Sequence, residues 1–275
     1  MLKYPLLLCF ILFTSWKSEA EDSLQLIKSI PIQGLLISTD PLGNVYIVKE
    51  NNSVYRINSK GDSTGIFNEI KKGKITQIDA SNPLRVLLYY ADYNQIVVLN
   101  NMMTQKNVIK LNSIGLNNIA CIANSADGSI WLYDAVNGNL LKIDEQLNIL
   151  LNVNLRSIQE NPLAPTAMFE SERSLYITDT LDGIRKFDLF GFYNTSYHFK
   201  SRDVQLIQNY FVYRVDSNLV SYNMNTLNER ILQLPDSKTI KQVRIERDMV
   251  YILRETSLDL YSIMATIERE STDYK

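Results

Sequence analysis

Apolar runs recur along the chain about every 40 residues, and each is followed by a short polar turn and a second apolar run. In the clearest copy, the run Ile130 to Tyr133 follows an Asp-Gly turn, and a polar turn separates it from Leu140 to Ile143. β-Branched and aromatic residues dominate the runs, which predicts strands, and their near-continuous apolar character predicts burial on both faces. Six such runs begin at Val45, Val86, Ile130, Leu175, Phe211 and Val250.

The regular spacing of these units predicts the fold class. Stacked supersecondary units of this length form propellers or solenoids, and the segments between the hairpins alternate apolar and polar residues, as solvent-exposed edge strands do. We therefore predict an all-β, six-bladed β-propeller with four-stranded antiparallel blades. A β-sandwich or β-helix built from the same hairpins is the alternative, and five or seven blades remain possible because the second and fifth units match less well.

The two ends of the repeat region complement each other. Residues 24–30 resemble the outer strand of a blade, whereas the sixth unit stops after its third strand, near Ile263. The N-terminal strand is predicted to complete the last blade and so to close the ring, which leaves no open sheet edge. We place the propeller at residues 21–267 and a polar tail at 268–275.

The first twenty residues differ from the rest. Lys3 precedes an apolar run, residues 6–13, that is too short to span a bilayer, and Ser18-Glu19-Ala20 supplies small residues before a cleavage point. Residues 1–20 are predicted to be a secretory signal peptide, which implies export to the periplasm or outer membrane. A lipid anchor at Cys9 is disfavoured because the bulky Leu8 precedes it. No later segment is apolar enough to predict a transmembrane span.

Composition and charge exclude several classes of protein. The 275 residues carry a net charge of −2, and the densest basic stretch, residues 71–74, holds only three lysines, so nucleic acid is not a predicted partner. Removal of the leader leaves Cys121 as the one cysteine, which excludes an intramolecular disulfide and indicates a small buried apolar residue.

Three segments carry a resemblance to known families. The segments 40–47 and 53–58, and the run Asp127-Gly128-Ser129-Ile130-Trp131, resemble blades of NHL-like, TolB-like and streptogramin-lyase-like propellers. The chain as a whole is similar to exported six-bladed propellers of Gram-negative bacteria. This resemblance implies a fold and not a chemistry.

Motifs for catalysis are largely lacking. His198 is the single histidine, so a His/Cys zinc site within one chain is excluded, and no nucleophile elbow, Walker loop or EF-hand loop occurs. No cofactor or metal is predicted. Carboxylates and amides on inner strands could still serve a Ca²⁺-dependent lactonase or lyase if they converged on the channel. The candidates are Asp79, Asn118, Asn124 and Glu170.

The turns after the middle strands are predicted to emerge on one face of the ring. Exposed Tyr and Arg side chains commonly mediate protein contacts, and Tyr90 and Tyr93 flank Asp92 in one of these turns. The alternative is that the tyrosines fill blade cores and the acids cap hairpins. The predicted binding residues are Tyr90, Asp92, Tyr93, Tyr133, Asp134, Asp179, Arg185 and Arg254.

Together these features favour a non-catalytic binding or scaffold module that is monomeric in isolation and binds an envelope protein or protein complex. A carboxylate- and Ca²⁺-dependent propeller enzyme is one alternative. A sensor for a glycan or peptide is another. Three or more carboxylates or amides around the axis would favour the enzyme, whereas a lining of Ser, Thr, Ile and Ala would oppose it.

Overall fold

The computed structural model describes residues 23–69, 73–157, 163–179, 183–199 and 202–264. These residues form six four-stranded antiparallel sheets, and the helical residues among them lie in short 3₁₀ turns. The predicted six-bladed propeller is confirmed. The predicted signal peptide, residues 1–20, and the predicted tail, residues 268–275, lie outside the described residues.

Each blade uses consecutive strands, apart from the last. Blade 1 contains β2 (Leu36–Thr39), β3 (Val45–Val48), β4 (Val54–Ile57) and β5 (Ser63–Phe67). Blade 2 contains β6 (Ile75–Asp79), β7 (Val86–Tyr90), β8 (Gln95–Leu99) and β9 (Gln105–Lys110). Blade 3 contains β10 (Ile119–Asn124), β11 (Ile130–Asp134), β12 (Asn139–Ile143) and β13 (Ile149–Asn154).

The second half of the ring repeats this order. Blade 4 contains β14 (Pro165–Ser171), β15 (Ser174–Asp179), β16 (Gly183–Asp188) and β17 (Tyr193–Tyr197). Blade 5 contains β18 (Arg202–Ile207), β19 (Tyr210–Val215), β20 (Asn218–Asn223) and β21 (Glu229–Gln233). Blade 6 contains β22 (Ile240–Glu246), β23 (Met249–Arg254), β24 (Ser257–Met264) and the N-terminal strand β1 (Ser23–Pro31).

The six residues that open the predicted middle strands all lie in the second strand of a blade, and none is exposed to solvent. Neighbouring blades cover both faces of these strands, which explains why their sequence is almost continuously apolar. Apolar clusters between adjacent blades form the core. The interface between blades 4 and 5 is aromatic, with Phe211 packed edge-on against Tyr176 and Tyr197.

β1 closes the ring by pairing antiparallel with β24, from Ser23 opposite Met264 to Pro31 opposite Ser257. The predicted closure is confirmed. Leu24 and Ile30 add apolar contacts to the cores on either side of blade 6. A backbone edge that would otherwise be open is therefore paired, as a closed β structure requires.

The antiparallel order gives the ring two faces. The lower face carries the turns that join strands 1 and 2 of each blade and, in blades 1 to 5, the turns that join strands 3 and 4. The upper face carries the turns that join strands 2 and 3, together with the links between blades. No helix among the described residues is long and apolar enough to cross a membrane.

Candidate functional site

A cavity of about 380 Å³ lies on the propeller axis, between the first strands of the blades. Its wall mixes polar and apolar side chains. It includes three carboxylates, Asp79, Glu170 and Glu246, which is the number given above as favouring the enzyme alternative, so the bonds that these groups make decide whether they form one site. The polar side chains that line the cavity are Ser38, Thr39, Thr76, Gln77, Asp79, Ser81, Thr166, Glu170, Ser171, Gln205, Gln242, Arg244 and Glu246.

Glutamines of the first strands join neighbouring blades. The carboxamide of Gln77 donates to the carbonyl of Ala120 at 2.7 Å and accepts from the amide of Ile122 at 2.8 Å. Gln205 makes the same pair of bonds to the backbone of Ile245, at 3.0 and 2.8 Å. A first strand is the inner edge of its sheet, so these side chains satisfy backbone groups that no strand pairs.

Two of the predicted channel acids also form hydrogen bonds between neighbouring blades. Oδ2 of Asp79 accepts from the amide of Asn124 at 2.6 Å, across the interface between blades 2 and 3. Glu170 accepts from Ser125 Oγ at 2.6 Å and from the indole of Trp131 at 2.5 Å, across the interface between blades 3 and 4. Both carboxylates are therefore occupied by neighbouring blades.

The four candidates for catalysis do not form one site. Asp79, Asn124 and Glu170 all lie near the lower end of the channel, at or next to the end of a first strand. Asn118 precedes β10 at the opposite end and is exposed. Within the described residues, no three His, Cys, Asp or Glu side chains are grouped closely enough to hold a metal ion.

Two ionisable side chains of the channel differ from the rest. The described residues include no hydrogen-bond or ion-pair partner for Arg244, and its Nη1 is shielded from solvent. Glu246, two residues further along β22, makes no hydrogen bond or ion pair within the described part of the chain, although Arg247 lies close enough to favour its charge. Burial, followed by the nearby Asp40 carboxylate, raises the pKa of Glu246. Among the charged side chains that line the cavity, these two are therefore the ones most available to bind a ligand.

The predicted upper-face residues fall into two groups. Six of the eight are buried, namely Tyr90, Tyr133, Asp134, Asp179, Arg185 and Arg254. Tyr90 and Tyr133 belong to the apolar clusters between blades, and burial raises the pKa of each phenol. This arrangement corresponds to the alternative considered from the sequence, in which the tyrosines fill blade cores.

The buried charged residues of this group have structural partners. Asp134 caps its own hairpin by accepting from the amides of Val136 and Asn137, and Asp179 accepts from the amide of Ala164 at 2.7 Å. Arg254 donates from Nε to Asp259 Oδ2 at 2.5 Å. Its Nη atoms donate to the Thr239 hydroxyl and to the carbonyls of Pro235 and Asp236, so no nitrogen of this guanidinium is left for a ligand.

Asp92 and Tyr93 are the two predicted residues that reach the surface of the upper face. Asp92 accepts from the backbone amide of Lys74 at 3.0 Å and so holds the link between blades 1 and 2. The Tyr93 side chain is 56% exposed. These two predicted residues are adjacent and exposed, whereas the other six are buried.

A repeated five-residue turn on the lower face was not recognised in the sequence. In blades 1 to 4 the turn between strands 3 and 4 starts with Asn58, Asn100, Asp144 and Asp188 respectively, and each side chain accepts from the amides two and four residues later. The fourth position has positive φ in all four turns. The recurrence of Asn or Asp at this place was the available signal, because such side chains favour local backbone bonds.

The tips of these turns differ in polarity. Blade 1 presents Lys60 and Asp62, and blade 3 presents Gln146 and Asn148. Blade 4 instead presents Phe190 and Phe192, which are 69% and 65% exposed. The turn folds equally with polar tips, so the two phenylalanines are not needed for its formation.

Comparison with solved structures identifies other propellers. The Neurospora crassa Pan2 WD40 domain is similar with a TM-score of 0.65 and 8% identity, over 90% of this chain and 98% of that one. A catalytically inactive virginiamycin B lyase from Staphylococcus aureus has a TM-score of 0.64 and 12% identity, over 89% and 100%. The Cps50 (Swd1) propeller domain of Myceliophteria thermophila has a TM-score of 0.61 and 9% identity, over 88% and 100%.

Identities this low show the fold alone. Neither a protein-family model nor a curated protein sequence matches this chain.

Proposed function

We propose that this protein is a non-catalytic interaction module, and that a partner protein binds its lower face at the Phe190–Phe192 turn. The proposal rests on one observation: two phenylalanines occupy exposed turn positions that are polar in blades 1 and 3. Exposed aromatic side chains are costly to maintain in solution, and they are enriched where proteins bind other proteins.

The turn is well suited to present these rings. Oδ1 of Asp188 accepts from the amides of Phe190 and Phe192, each at 2.9 Å, which fixes the backbone on both sides of the tip. Gly191 lies against Val153 of blade 3, and Leu189 packs into the core between blades 3 and 4. A rigid loop loses little conformational entropy on binding, so the rings are held ready for a partner.

The surroundings extend the apolar surface. Tyr193 follows the turn, with its ring edge-on to Phe187, and its side chain is partly exposed. Ile149 and Leu150 begin β13, the blade 3 strand on which the turn packs, and both are exposed. An apolar centre of this kind, bordered by polar turns, is typical of a protein-binding surface.

The test is affinity purification of the tagged protein from its native cells, with quantitative mass spectrometry. The variant F190Q/F192N transfers the tip residues of the blade 3 turn to blade 4 and keeps the backbone bonds of Asp188. We expect it to lose at least about 90% of a specific partner, since hot-spot aromatics commonly contribute 2 kcal/mol or more.

Two matched variants complete the design. M102Q changes an exposed apolar tip in the corresponding blade 2 turn, and D92A/Y93A removes the two predicted site residues that are exposed on the upper face. Both are expected to retain the partner. Retention by F190Q/F192N with loss by D92A/Y93A would move the binding surface to the upper face. Absence of any partner with the unaltered protein would contradict the proposed function itself.

We further propose that the protein acts after export, in the periplasm or at the outer membrane, as exported NHL-like and TolB-like propellers do. The leader-like composition of residues 1–20 supports this. Cell fractionation and N-terminal sequencing of the mature protein test it, with Glu21 expected as the first residue. An intact Met1 on cytosolic protein would contradict export.

A further inference from the structure

We propose that the axial cavity binds a free apolar amino acid, with the ligand carboxylate on Arg244 and the ligand ammonium group on Glu246. This inference concerns a site distinct from the lower-face turn and is independent of the proposed partner binding. It begins from the two charges on the axis that make no hydrogen bond or ion pair within the described residues.

The guanidinium of Arg244 is suited to bind an anionic group of a ligand. A partly buried cation with a shielded, unbonded nitrogen is unfavourable, and the guanidinium plane suits a carboxylate, which accepts two parallel N–H bonds. Asp203, the carboxylate whose charge acts on Arg244, already accepts a hydrogen bond from Arg214 Nε at 2.6 Å. One carboxylate thus lies near two guanidiniums, which leaves an excess of positive charge at Arg244.

The carboxylate of Glu246 is suited to bind a cationic or hydrogen-bond-donating group of a ligand. It lies on the same side of β22 as Arg244, because residues two apart on a strand share a face, with about 7 Å between their Cα atoms. Asp40, buried nearby, adds negative charge. A cavity with one end positive and the other negative matches a zwitterion and disfavours a dianion such as phosphate.

The apolar part of the cavity wall favours a ligand with an apolar side chain. Ile78, Met168, Phe169, Val204 and Leu206 line the same cavity. Its volume of about 380 Å³ lies in the range of small-molecule sites, which typically combine an apolar wall with a few polar groups. The other polar side chains that could compete, Gln77, Gln205, Asp79 and Glu170, are bonded between blades.

Isothermal titration calorimetry of the purified protein tests the proposal with four probes: leucine, phenylalanine, 3-methylbutylamine and 4-methylpentanoate. We expect saturable binding of the amino acids, weaker binding of 4-methylpentanoate, and no binding of the amine. R244Q should weaken leucine binding by at least about tenfold, as loss of a charge-assisted pair does. E246Q should weaken leucine binding but leave 4-methylpentanoate unaffected.

R230Q is the matched control, because Arg230 is an exposed arginine on the outer strand of blade 5. The R230Q variant should bind leucine with the same affinity as the unaltered protein. Thermal unfolding separates a ligand role from a structural one. An arginine without partners contributes no ion pair to the fold, so R244Q should retain or raise the melting temperature in the absence of ligand.

Three results would overturn the inference. The first is no saturable binding of either amino acid up to about 10 mM, a concentration that would still detect a weak site. The second is leucine binding by R244Q with unaltered affinity. The third is a large fall in the melting temperature of R244Q, which would show that Arg244 supports the fold instead.

Discussion

Ser29 donates from Oγ to Asp259 Oδ1 at 2.5 Å, and this bond joins the first strand of the ring to the last across 230 positions of sequence. The other oxygen of Asp259 accepts from Arg254 Nε at 2.5 Å, and Arg254 in turn holds the link between blades 5 and 6. The closing strand is therefore fixed by a partly buried chain of polar side chains as well as by the backbone pairing of β1 with β24.

Replacing Asp259 with Asn should destabilise the protein by about 3 kcal/mol, because it leaves the Arg254 cation buried without its counter-charge. The side chains of both residues are only 10% exposed, so water compensates little for the loss. Urea unfolding of D259N measures the effect. S29A, which removes one neutral donor, should cost only about 1 kcal/mol. Equal losses for the two variants would mean that the Arg254–Asp259 pair contributes no more than the serine bond.

The same carboxylate should make stability depend on acid. Burial opposes its ionisation, but hydrogen bonds from Ser29 and Arg254 outweigh burial and hold the pKa of Asp259 below its usual value. A lowered folded-state pKa adds stability that is fully present above the unfolded pKa, about 3.9, and is lost as the pH falls through the folded value. The difference in unfolding free energy between the unaltered protein and D259N should therefore shrink below about pH 4. A difference that stays constant down to about pH 2 would exclude this linkage.

The glutamine bonds between blades give a third prediction. Q77M keeps the length of the side chain but leaves the Ala120 carbonyl and the Ile122 amide without their partners. We expect a loss of about 2 kcal/mol and faster hydrogen exchange at the Ile122 amide. Q233M, at an exposed position on the outer strand of blade 5, should be nearly neutral. Unchanged exchange at Ile122 in Q77M would show that the bond does not protect this edge.

The fold was predictable because its determinants are local. The run that starts at Val86 is apolar throughout since the blades on both sides cover it, and a run of this kind can be recognised without knowledge of its neighbours. The missing fourth strand of blade 6 was likewise evident from the two ends of the repeat region, and β1 supplies it.

The site was much less predictable, because the partners of polar side chains lie far away in sequence. Arg254 ends a buried strand next to a polar turn, and in the sequence it resembles a residue that projects into solvent. In the structure it pairs with Asp259, which is itself bonded to Ser29. Tyr90 ends a run that is buried on both faces, and the burial simply continues to its last residue. Arg244 could not be selected, since an unpartnered charge is recognised only after every neighbour is placed.

The last prediction concerns Gly73, which lies beside the two predicted site residues that reach the surface. A Cβ at this position would come within 2.8 Å of Asp92 and 2.9 Å of Tyr93, and its φ is +73°. Gly128 also has positive φ, +85°, but nothing lies within 4 Å of its Cβ position. G128A should therefore cost about 1 kcal/mol from backbone strain alone, whereas G73A adds about 1–3 kcal/mol of overpacking. Urea unfolding of the two variants measures the difference, and equal losses would mean that Asp92 and Tyr93 move aside freely. Because the clash displaces Tyr93, G73A also probes the upper face, and full retention of the partner by a folded G73A would agree with binding at Phe190 and Phe192.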